Sequence, residues 1–160
     1  MRFPMLAAAT LLGAGAVSAQ SASITARANV FTPLVVTGAQ DLDFQNVFPG
    51  AAKTVGVAAP SAGRFDITGQ ANAPVSLTFA LPANLTNGGN TLPIGSWTGC
   101  RNATNTATAC TTLTPSATAT NASFGAAGTM FVFVGGTVTP APSQSAGVYT
   151  GTVQLTVAYL

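Results

Sequence analysis

YTGTVQLTVAY, residues 149–159, changes side-chain character at every step. Tyr149, Val153, Leu155, Val157 and Tyr159 fall on one side, with Gly151 among them. Thr150, Thr152, Gln154, Thr156 and Ala158 fall on the other. A period of two is the signature of a strand with one face buried, so this stretch predicts a β-strand across its whole length.

The same period recurs upstream. Ala22, Ile24, Ala26, Ala28 and Val30 alternate with Ser21, Ser23, Thr25, Arg27 and Asn29, which predicts a strand over Ser21–Val30. Further strands are predicted at Leu34–Val36, Leu42–Val47, Thr54–Ala58, Arg64–Thr68, Val75–Leu81, Leu92–Trp97, Thr111–Leu113 and Ala117–Ala119. Met130–Val134 is a dense apolar run, which fits a central strand buried on both faces. Pro49-Gly50 and Asn87-Gly88-Gly89-Asn90 supply turns. Many short strands between turn signals predict an all-β chain, an antiparallel two-sheet sandwich of immunoglobulin-like type.

The first residues address the compartment. Arg2 precedes an apolar run from Met5 to Val17 that ends in Val17-Ser18-Ala19. The run is short and ends in a small-x-small pattern, so it predicts a secretory signal peptide, residues 1–19, cleaved after Ala19. Residues 20–160 are then one exported domain without a membrane span, bound for the periplasm, the outer surface or the medium. Cys100 and Cys110 are the two cysteines of the chain, and in an oxidising compartment they predict one disulfide.

Composition narrows the function. The chain has no His and no Glu; its acids are Asp41, Asp43 and Asp66. Beyond the signal, the four bases Arg27, Lys53, Arg64 and Arg101 against three acids leave a net +1. That balance points to neither nucleic acid nor an anionic membrane as partner. Without His there is no Ser–His dyad. Asp41 and Asp43, spaced i, i+2, share one face of an extended segment, yet a calcium site needs six or more oxygens. Gly135-Gly136 lacks the Lys-Ser/Thr of a nucleotide-binding loop. Trp97, Phe131 and Phe133 could stack on a sugar or base, but their apolar neighbours favour core packing. No catalytic residue, cofactor or metal ligand is predicted.

Strand pairing is the remaining chemistry. The clearest strand lies at one extreme of the chain and another alternating segment, 20–31, at the other. Such a chain can donate its first strand to a neighbour and grow head to tail. Equally, that segment can fold back and complete its own sandwich.

Several motifs bear on that choice: Thr32-Pro33-Leu34, Asp41-Leu42-Asp43-Phe44, Val47-Phe48-Pro49-Gly50, Arg64-Phe65-Asp66-Ile67-Thr68-Gly69, Phe133-Val134-Gly135-Gly136-Thr137 and Gly147-Val148-Tyr149-Thr150-Gly151-Thr152-Val153. In this order they resemble a family of bacterial exported domains of unknown function, itself similar to spore coat protein U and the archaic chaperone–usher pilins. The resemblance implies an incomplete, pilin-like sandwich whose first strand is donated to the next subunit. It implies a donor face of Ile24, Ala26, Ala28 and Val30, and a groove bordered by the strand carrying Tyr149, Val153, Leu155, Val157 and Tyr159. The implied partners are further copies of the chain, a periplasmic chaperone and an outer-membrane usher. The implied function is a structural subunit of a pilus-like or cell-surface assembly. A self-complete secreted module for surface adhesion or ligand binding is the alternative. It predicts an internally paired first strand and an aromatic such as Trp97 exposed in a cleft.

Overall fold

Val, Ile, Phe and Thr dominate the segments that form ladders, because branched and aromatic side chains fit a pleated, half-buried surface. The computed structural model describes residues 19–160. The expected signal peptide falls almost wholly outside the described residues. By its internal contacts the chain divides into two units, Met1–Val30 and Phe31–Leu160. In the first, residues 19–30 hold neither helix nor strand and every one is exposed. The strand predicted at Ser21–Val30 is therefore not formed: a strand exists only through its ladder, and no ladder includes these residues.

The second unit is all-β among its described residues, with two antiparallel sheets. Its strands are β1 Val35–Gln40, β2 Lys53–Val55, β3 Gly63–Thr68, β4 Pro74–Ala80, β5 Asn84–Asn87, β6 Asn90–Asn102, β7 Thr111–Leu113, β8 Thr120–Ser123, β9 Thr129–Val138 and β10 Gln154–Tyr159. Seven form one sheet in the order β1-β3-β9-β6-β5, with β2 continuing the row of β3 along β9 and β7 continuing the row of β5 along β6. The other three form a sheet in the order β10-β4-β8.

Both sheets contribute to the larger core. Ile67, Met130, Val132 and Val134 come from the seven-stranded sheet, and Val75, Leu77, Phe79, Ala122 and Leu155 from the three-stranded one. These are the inward positions of alternating strands, so the two sheets face each other across an apolar layer. No polar side chain is buried among the described residues. A second cluster, Phe44, Val55, Ala62, Leu92, Ile94 and Val138, lies toward the other end of the large sheet.

Expectation and structure part at several elements. Met130–Val134 is the middle of β9, which is longer than predicted and central, as its buried faces require. Leu92–Trp97 belongs to the much longer β6, whose register shifts between Gly95 and Thr98. Ser96 takes a positive φ of 46° there, and the bulge turns Trp97 against both clusters. Leu42–Val47 is no strand. Asp43 Oδ1 accepts the Gln45 N–H at 2.7 Å and Gln45 adopts φ 53°, a local turn that competes with a ladder. Ala117–Ala119 precedes the strand that does form, β8. Cys100 and Cys110 are bonded, with Cα atoms 5.7 Å apart.

Candidate functional site

The cross-strand registers locate an opening between the sheets. Val36 lies opposite Ile67 and Gly38 opposite Phe65, so both β1 residues point to the side on which Ile67 is buried. Val36 is nevertheless 37% exposed, and Gly38 is exposed too. On β10, Leu155, Val157 and Tyr159 lie opposite the buried Phe79, Leu77 and Val75. Only Leu155 is itself buried; Val157 and Tyr159 are half-buried. Each sheet thus ends in an edge strand whose inward face is incompletely covered. Among the described strands none pairs with the outer edge of β1 or of β10.

The β1 margin opens on a cleft of about 940 Å³ whose other side is the chain leading into β10, ending at Val153. Gly38 to Phe44 form one wall and Gln144 to Val153 the other, and the floor is apolar, built from Phe65, Leu85, Ile94, Val134 and Val138. Phe48 (71% exposed) and Val148 (82%) stand at its rim. Two carboxylates, Asp41 and Asp43, line it and no Lys or Arg does, so its local charge is negative.

The second wall is tied down by polar contacts. The Gln144 side-chain amide donates to the Thr91 carbonyl (3.0 Å) and to Tyr149 Oη (2.7 Å). Tyr149 Oη in turn donates to the Ser145 carbonyl at 2.9 Å. Thr150 and Thr86 of β5 exchange both backbone hydrogen bonds, at 2.8 and 3.0 Å. A Cβ at Gly151 would stand 2.7 Å from Leu85 Cδ2, so a larger residue there has to shift the Leu85 side chain.

This changes the reading of the strand predicted over Tyr149–Tyr159. Its second half, Gln154–Tyr159, is β10, carrying Leu155, Val157 and Tyr159. Its first half, with Tyr149 and Val153, is not ladder but cleft wall. The cause is Thr150, whose backbone pairs with β5 of the larger sheet while β10 pairs with β4 of the smaller. The expected donor face is on the surface: Ile24 is 97% and Val30 95% exposed, and Ala26 and Ala28 are exposed too. The cleft's other wall was missed by the sequence reading, which assigned Leu42–Val47 to a strand. The signal for it was the polar run Asp43-Phe44-Gln45-Asn46 around one apolar residue, Phe44, which is buried.

The remaining polar residues have ordinary partners. Asp66 receives Arg64 Nε at 2.7 Å and a second guanidinium nitrogen at 3.3 Å, in a partly exposed pair. Among the described residues no three His, Cys, Asp or Glu side chains cluster to hold a metal ion. No helix among them is long and apolar enough to cross a membrane.

A protein-family model described as a domain of unknown function, DUF4402, matches residues 7–159. No curated protein matches the chain.

Proposed function

This chain belongs to the DUF4402 family of domains of unknown function, and we propose that it is a structural subunit of a pilus-like or surface-coat assembly held by donated strands. In this reading Phe31–Leu160 is an incomplete, immunoglobulin-like sandwich. Residues 20–31 of one copy lie in the cleft of the next, with Ile24, Ala26, Ala28 and Val30 turned to its apolar floor. Residues 1–19 direct export and are removed, a periplasmic chaperone and an outer-membrane usher serve assembly, and the product stands on the cell surface. The cystine fits folding in an oxidising, extracytoplasmic compartment.

One observation carries the proposal: the same chain holds an alternating segment without a ladder and an apolar cleft between the unpaired edge strand β1 and the irregular wall that leads into β10. A seated strand would satisfy backbone groups and bury alternate side chains, the general mode of strand addition. Burying Ile24 and Val30, both almost fully exposed, contributes about 1.5–3 kcal/mol each. Charge agrees as well. Arg27 is the one charged residue of 20–31, and the cleft is lined by Asp41 and Asp43 with no base. The contact is heterologous, so it extends rather than closes.

The adhesion-module alternative draws less support. Residues 20–31 have no internal ladder, and Trp97 is half-buried against both clusters rather than exposed in the cleft.

Sedimentation of the purified exported chain, with and without excess Ser21–Val30 peptide, tests the proposal. The expected result is a concentration-dependent series of oligomers that the peptide collapses to capped monomers. A monomer at all concentrations that ignores the peptide overturns it.

A further inference from the structure

A set of contacts that the strand-exchange reading does not use joins the far end of β10 to residues 31–32. The Tyr159 hydroxyl donates to the Thr32 carbonyl at 2.6 Å and accepts the Gln70 backbone N–H at 2.7 Å. The Gln70 side-chain oxygen accepts from the Thr32 N–H (3.3 Å) and from its hydroxyl (3.0 Å). The Phe31 ring lies against the Tyr159 ring, with centroids 5.1 Å apart. The space for this arrangement is reserved by Gly69: a Cβ there would meet the Tyr159 hydroxyl and a Phe124 ring carbon at 2.7 Å each. Tyr159 is half-buried, and its hydroxyl is fully engaged by two backbone groups distant in sequence.

We propose that Tyr159 is a positioning residue that couples the receiving cleft of a subunit to the root of the strand the same subunit donates. The proposal rests on the strand-exchange reading and goes beyond it. Phe31 and Thr32 directly follow the donor segment. Tyr159 ends β10, and the residues that lead into β10, Thr150–Val153, are the cleft wall. An irregular segment opens locally unless contacts hold it. A strand seated in the cleft orders Thr150–Val153, which run directly into β10, and through β10 and the Tyr159 hydroxyl it steadies Thr32 and Gln70. A body that has received a strand holds its own donor root more firmly than a body that has not. Growth of the assembly then favours subunits already incorporated.

Two amides report this directly: that of Gln70, which donates to Tyr159, and that of Thr32, which donates to Gln70. The experiment is hydrogen exchange at both, by NMR on the exported chain at a concentration that keeps it monomeric, before and after saturation with the Ser21–Val30 peptide. The expected result is exchange slower by about fivefold or more at both sites once the peptide is bound, the low end of ordinary site-to-site coupling. In Tyr159→Phe, which keeps the ring against Phe31, the gain in protection is lost at peptide concentrations that saturate the variant. A purely structural tyrosine would lower protection equally with and without peptide. Peptide binding that leaves both amides unchanged in the parent chain overturns the coupling and leaves strand exchange standing. Persistence of the gain in Tyr159→Phe also overturns it. Absence of peptide binding overturns both proposals together, and the parent chain alone decides these points if the variant folds poorly.

Discussion

Gly151 interrupts an otherwise regular alternation where its backbone lies against Leu85 of β5, so that a Cβ would stand 2.7 Å from the Leu85 Cδ2 methyl. A valine there completes the apolar face of YTGTVQLTVAY and reads as an improvement on paper. In the folded chain it has to displace Leu85 or lift the cleft wall off β5. We expect Gly151→Val to lower stability by about 1–3 kcal/mol, the usual range for overpacking. Urea unfolding followed by tryptophan fluorescence checks this; an unchanged or higher midpoint contradicts the close approach. The same position shows what a sequence can and cannot reveal. Alternation marks which side chains share a face, and it does so correctly for Leu155, Val157 and Tyr159. It carries no information on which strand a given backbone pairs with. That is decided by contacts such as Thr150 with Thr86, far apart in the chain.

Among the elements, those with strong apolar periods were legible: β3, β4, β7, the middle of β9 and the second half of the 149–159 stretch all lie where patterning places them. The cleft walls were not, because both are irregular backbone held by side chains. Asp43 turns one, and Gln144 with Tyr149 ties the other. The cystine was legible from count and compartment. It closes a short polar loop behind β6, whose Cys100 is buried at the pair with Phe133 of β9. Replacing both cysteines by serine should cost about 2–3 kcal/mol, mainly by loosening the unfolded chain. The urea midpoint should fall and the slope should rise slightly, because the unlinked unfolded chain exposes more surface. At the proposed donor segment, the apolar face and the single charge separate two effects. Ile24→Ala in the Ser21–Val30 peptide should weaken binding by about 2 kcal/mol, roughly 30-fold. Arg27→Glu should weaken it by about fivefold or less at low ionic strength, the scale of an exposed pair, and the difference should vanish in high salt. Calorimetric titration at two salt concentrations distinguishes them. Equal losses that ignore salt contradict the assignment of Arg27 to the rim acids.

The molecule as a whole is stabilised by apolar burial and backbone ladders with almost no charge. The sequence contains no histidine, the one side chain whose ordinary pKa lies between about 5 and 8. Stability follows pH only where folded and unfolded states bind different numbers of protons. The unfolding free energy should therefore be nearly flat across that interval, and thermal melts at several pH values check this. A steep slope there would reveal a titrating group that the core does not display. The same scarcity of charge leaves the sheet edges poorly defended against pairing with another chain. In this account the cleft between β1 and the wall leading into β10 turns that exposure into a specific contact. The most direct measurement is a set of intermolecular NOEs between an isotope-labelled chain and an unlabelled Ser21–Val30 peptide. The account predicts contacts from Ile24 and Val30 of the peptide to floor residues such as Ile94, Val134 and Val138. Contacts confined to other surfaces, or none at saturating peptide, would contradict it.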